Sequence, residues 1–172
     1  MAKLNKERLI FGLFLLILIV IIDLILHHFH LPSWPVFMVM IFFFEAHMDV
    51  KKASHIIVGG LVGILCFVLT GLFVKAFAPY IGLMTARLTF ICLVVYAIVA
   101  FGEILPMIFN NYGFMFFLIS GLASGVSDPA PNPWLWMGID LIGGIVVVFS
   151  IVGIGKLMAV LLAPGNKTSE HP

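Results

Sequence analysis

The stretch LIFGLFLLILIVIIDLIL, residues 9–26, limits the fold more than any other feature of the chain. It carries one charge in a run close to the ~20 apolar residues that a helix needs to cross a bilayer. No polar stripe recurs along it, so it does not read as the surface helix of a soluble domain. Five further apolar segments follow, at about 33–47, 54–77, 81–101, 106–125 and 134–162. Hydrocarbon offers backbone N–H and C=O groups no water, so spanning segments are helices or strands of a closed barrel. Barrel strands alternate strictly between apolar and polar residues, and these runs do not. The expected fold is an all-α membrane protein, a six-transmembrane-helix bundle. It forms one domain over residues 1–163, with a polar cytoplasmic tail at 164–172. Composition agrees: 63% of the 172 residues are hydrophobic and 10% charged. A soluble domain carries roughly 25% charged residues.

The first segment is too long for the apolar core of a signal peptide, and no small-residue cleavage site follows it. It is expected to stay as a membrane helix. The second segment is the shortest, and a five-span chain with a re-entrant second segment is the alternative. Charge orients the bundle. Lys3, Lys6 and Arg8 precede the first segment, Lys51 and Lys52 precede the third, and Lys156 and Lys167 lie near the end. Only Lys75 and Arg87 fall toward the other side. Basic residues in short loops favour the cytoplasm, which predicts cytoplasmic N- and C-termini and an outside SDPAPNP loop at 127–133. Trp134 and Trp136 beside that loop suit the interfacial aromatic belt. The net charge of +1 comes with no basic tract, so a nucleic-acid partner is not expected. Cys66 and Cys92 sit in apolar runs and read as small core residues.

An internal echo is present. PVFM (35–38) opens the second segment and YGFM (112–115) lies early in the fifth. Each precedes a helix with paired glycines, Gly59-Gly60 and Gly143-Gly144. Two three-helix halves, 9–77 and 81–162, would then form an inverted repeat. In transporters, short or interrupted segments at matching places in two halves point to the binding site.

Ionisable residues inside a membrane cost at least ~2.5–3.5 kcal/mol at mid-depth, so each invites a functional reading. Asp23, His27 and His30 share a helix face at spacings of four and three, a pattern able to relay protons or sense pH. Glu45, Asp49 and Lys52 share another, either as a cytoplasmic ion-pair cluster or as the floor of a vestibule that His55 joins. Arg87 and Asp140 come to similar depth, and an Arg87–Asp140 pair is expected. Asn110 and Asn111 interrupt the fifth segment, and their amides could replace the hydration of a small polar solute. Ser120, Ser124 and Ser127 follow, with Gly121-x-x-x-Gly125 between them; Gly59-x-x-x-Gly63 repeats the device, which lets helices approach closely. No nucleotide loop, zinc signature or hydrolase elbow occurs, so no catalytic residue, metal or cofactor is assigned and enzyme activity is not expected.

LPSWPVF (31–37), FAPYIG (77–82) and FNNYGFMFFLISGLAS (109–124) resemble the small bacterial inner-membrane proteins of the YcdZ-like family, a domain of unknown function. The likeness covers most of the chain from the end of the first span to the sixth. It departs at 45–52, where the family has Cys-Pro and Gly-rich sequence. The resemblance implies a multi-pass protein of the bacterial inner membrane and supplies neither substrate nor catalytic residues.

Together these features predict a membrane channel or transporter for a small polar solute or ion, with proton coupling or pH gating as a secondary expectation. A bundle this small leaves little room for a wide path, so a homo-oligomer is expected. The polar route would run from His27 past Asp23, Asn110 and Asn111 toward Glu45 and His55. The competing expectation is a non-transporting scaffold or accessory subunit of a membrane complex.

Overall fold

A computed structural model describes residues 6–126 and 132–161. These residues form six helices and no strand: α1 (Lys6–His28), α2 (Trp34–Glu45), α3 (Val50–Ile81), α4 (Leu83–Phe101), α5 (Asn111–Val126) and α6 (Pro133–Leu161). Lys3, Lys167, most of the 127–133 loop and the 164–172 tail lie outside the described residues. Four helices, α1, α3, α4 and α6, are long and apolar enough to cross a membrane. The other two are short. The 12 residues of α2 reach about 18 Å and the 16 of α5 about 24 Å, against a hydrocarbon core of about 30 Å. The order is therefore long-short-long, twice.

Local chemistry sets the helix ends. α1 closes with a paired turn in which Leu31 N–H donates to Leu26 C=O at 2.8 Å and His30 N–H to His27 C=O at 3.0 Å. α2 closes the same way, Met48 N–H to Phe43 C=O and His47 N–H to Phe44 C=O, both at 2.9 Å. Both are Schellman turns, which need a left-handed residue after the helix. His30 (φ 54°) and His47 (φ 57°) occupy that place, and histidine is among the non-glycine residues enriched there. The Asp49 carboxylate then accepts from Lys51 N–H at 2.9 Å and caps α3. Helix α3 runs through Pro79 to Ile81, past its expected end, and Gly82 at φ 84° alone separates it from α4.

The fifth segment starts later than its hydropathy implies. Residues 102–110 form turns, and α5 begins at Asn111. The Asn110 side chain accepts from Gly113 N–H at 2.9 Å, so the amide that looked like an interruption is the cap of the helix.

Buried side chains concentrate in α2, α3, α5 and α6; α1 has none and α4 only Ala86 and Val94. Helix α3 packs on α5 and α4, α6 packs on α2 and α1, and α3 and α6 cross each other. The core thus sits where α2 and α5 pack on α3 and α6, with α1 and α4 on its flanks. Glycine makes the crossings close. A Cβ on Gly63 would overlap the Gly113 carbonyl, and one on Gly143 would overlap Val36. Between lipid-embedded helices such backbone approach and van der Waals packing supply association, because lipid tails are as apolar as leucine. The Gly59–Gly63 face is therefore a packing seam against α5. Gly121 and Gly125 meet nothing within 4 Å.

Candidate functional site

The α3–α6 crossing holds the one fully buried charged side chain among the described residues. Asp140 has 0% relative exposure, and both its carboxylate oxygens lack a hydrogen-bond partner. Gly60 on α3 makes room for it: a Cβ there would lie 2.6 and 2.7 Å from the two oxygens. A side chain at position 60 and a carboxylate at 140 cannot coexist without one moving. An ionised carboxylate removed from water without a partner costs several kcal/mol, so this group is an expensive feature of the fold.

One turn before Asp140 on the same face of α6, Trp136 is also buried. Its ring meets Trp34 of α2 edge-on at 5.3 Å and Phe67 of α3 at 5.9 Å. Trp34 also packs on Phe116 of α5 at 6.2 Å. The Trp34 indole Nε1 is a buried donor with no acceptor. Among the described residues, the buried side-chain polar atoms left without a partner are this nitrogen and the two Asp140 oxygens. Native interiors satisfy nearly every polar atom, so each of these orphans is a place where a water, a proton or a polar solute could supply the missing partner.

The other sequence-selected residues go elsewhere. The expected Arg87–Asp140 pair does not form. Asp140 faces α3 from α6, whereas Arg87 is exposed on α4, which packs on α3 and α5. Asp23 and His27 lie on the exposed side of α1. Asn110 lies in the α3–α5 seam, where it donates to the carbonyls of His55 (3.2 Å), Pro106 (3.0 Å) and Met107 (3.1 Å). Of the route expected from His27 past Asp23, Asn110 and Asn111 toward Glu45 and His55, the first two residues lie on an exposed face of α1, while Asn110 meets the His55 backbone. Asn111 is exposed. The buried Ser120 hydroxyl donates to its own helix, to Phe116 C=O at 2.7 Å, and Ser124 does the same to Gly121 C=O at 2.8 Å. His55 is half-buried with Nδ1 at 3.4 Å from the Ser54 hydroxyl.

Glu45 finds a partner from the other half of the chain rather than Lys52. The Tyr112 hydroxyl donates to its carboxylate at 3.3 Å, and the Tyr112 ring packs on Phe42 at 5.1 Å. The pair ties the end of α2 to the start of α5. Sequence reading missed three participants: Gly60 as the carboxylate's cradle, Trp34 as the orphan donor, and Tyr112 as the partner of Glu45. Tyr112 lay in plain view beside the asparagines. The other two needed the α2–α6 and α3–α6 pairings, which apolar sequence does not encode legibly.

Comparison with protein families, with curated proteins and with solved structures gives no match for this chain. No group of three or more His, Cys, Asp or Glu side chains is placed to hold a metal ion among the described residues.

Proposed function

We propose that this chain is a multi-pass channel or transporter for a small polar solute or ion, with Asp140 as the ionisable group at its centre. The observation that carries this reading is a carboxyl at 0% exposure, unpartnered, opposite a glycine at the crossing of two long apolar helices. Ionisable residues within membrane helices are costly and rare, face the bundle interior, and mark proton relays and ion paths. Such a carboxyl can take up a proton, or pair with a cation that enters beside it.

The packing supports an inverted repeat of α1–α3 and α4–α6. Exchanging the halves maps α3 on α5 onto α6 on α2, and α3 on α4 onto α6 on α1. The PVFM and YGFM echo sets Val36 opposite Gly113 and Val39 opposite Phe116. Val36 and Val39 meet Gly143 and Gly144, while Gly113 and Phe116 meet Gly59 and Gly63. The pseudo-axis then passes near Gly60 and Gly144, beside Asp140, where repeat-built transporters place their sites. In this arrangement six helices traverse in alternation, α2 and α5 as short inner segments. Both termini face the cytoplasm with Lys51, Lys52 and Lys156. Membership of the YcdZ-like family, a bacterial inner-membrane location and a homo-oligomer belong to the same proposal.

The test is reconstitution into liposomes with a trapped pH dye and an imposed potential. Neutral polyols are followed in parallel by vesicle light scattering. Wild-type protein should move protons or polyol faster than protein-free vesicles, and Asp140→Asn should abolish the excess. Equal rates in the two proteins would remove Asp140 from the mechanism. A second reading, a membrane scaffold, draws on a different observation: Asn110, Ser120 and Ser124 all spend their hydrogen bonds within the fold.

A further inference from the structure

A cavity of about 770 Å³ opens between α3, α4, α5 and the start of α6. Its walls are mainly apolar, with Phe67 and Val74 from α3, Ile91 from α4, and Phe117 and Leu122 from α5. Arg87 is the charged residue that lines it, and no aspartate or glutamate does. The guanidinium makes no hydrogen bond or ion pair among the described residues. The two hydroxyls on the lining, Thr70 and Ser124, donate to the carbonyls of Cys66 and Gly121 at 2.8 Å. The donors left over belong to Arg87, five in a planar fork that matches a phosphate or carboxylate.

We infer that this cavity binds an anionic phospholipid of the surrounding bilayer, phosphate on Arg87 and one acyl chain along the apolar wall. Three features favour a lipid over a free anion. The α3 lining from Phe67 to Val74 spans about 10 Å along the helix, some two-thirds of the ~15 Å hydrocarbon depth of one leaflet. Trp134, an aromatic of the kind that sits at headgroup level, lines the same cavity. Arg87 lies one turn into α4, so its cation stands near one end of the cavity while Phe67, Ile91 and Phe117 lie farther along their helices. Charge at one end and hydrocarbon beyond it is the complement of an anionic lipid. Inorganic phosphate would leave the apolar wall unused. The inference is independent of Asp140.

Native mass spectrometry of the protein released from nanodiscs tests it. In nanodiscs of equal phosphatidylglycerol and phosphatidylcholine, wild-type protein should retain phosphatidylglycerol preferentially. Arg87→Gln should weaken that retention by roughly tenfold, the scale of one charge-assisted contact. Gly121→Leu keeps the cation and fills the apolar wall, and it should lower retention of either lipid. Melting in pure phosphatidylcholine nanodiscs identifies a variant that has failed to fold. In that event the wild-type preference alone decides. Equal retention of the two lipids by wild-type protein, or of phosphatidylglycerol by wild type and a folded Arg87→Gln, would overturn the inference. So would protection from heat by millimolar inorganic phosphate equal to that given by phosphatidylglycerol.

Discussion

Asp140 and Asn110 are both polar residues in apolar surroundings, and the fold treats them oppositely. Asn110 uses its amide fully, capping α5 through Gly113 and fastening α3 through the His55 carbonyl. Asp140 has no partner at all. Their substitutions should therefore move stability in opposite directions. Asn110→Ala should lower unfolding stability by about 1–2 kcal/mol, the worth of a helix cap, read by denaturant titration in detergent. Asp140→Ala should raise it by about 1–3 kcal/mol, because an unsatisfied buried group is removed. A loss in the second case would show that the carboxyl is satisfied within the fold. Such a stability gain with loss of activity is the usual relation at functional sites. Sequence alone marked both residues as intramembrane polar groups. It could not separate them, because the difference lies in what packs opposite: a turn of carbonyls for one and a bare glycine for the other.

Glycine spacing decides which helices meet. Gly59 and Gly63 admit Asn110, Gly113 and Phe116 of α5, while Gly121 and Gly125 carry the same small-x-x-x-small pattern and meet nothing. Gly63→Ala should thus destabilise by roughly 1–3 kcal/mol through overpacking against backbone, whereas Gly121→Ala should cost nothing measurable. Thermal melting of both variants in one detergent would check the contrast; equal melting would mean that α5 can slide away from α3. The elements themselves were largely legible, since hydrophobic length located all six segments and flagged the second as short. The shortness of α5 was not legible, because residues 106–109 are apolar enough to read as membrane helix. Gly102 and Pro106 break the run, and the first cap waits at Asn110. His30 reads from sequence as part of a relay stripe. Its left-handed backbone, like that of His47, gives it a plainer task, turning the chain after the helix.

Across the described residues, the short helices pack mainly on two long ones, α2 on α6 and α3, and α5 on α3. Each keeps an outer face, with Ile41 of α2 and Leu118 and Leu122 of α5 exposed. Val36 and Val39 of α2 meet Gly143 and Gly144 of α6, close to the crossing where Asp140 lies. The echo between PVFM and YGFM suggests two matching halves, but four residues of apolar sequence carry too little information to fix a register. Labelling tests most directly whether this crossing communicates with water during transport. In a background with Cys66 and Cys92 replaced by alanine, Asp140→Cys would be exposed to a small membrane-impermeant methanethiosulfonate reagent from each side, with Lys52→Cys as a reactive control. If Asp140 lies on a transport path, position 140 is modified from at least one side. A thiol there that stays unreactive from both sides, while the control reacts, would contradict it.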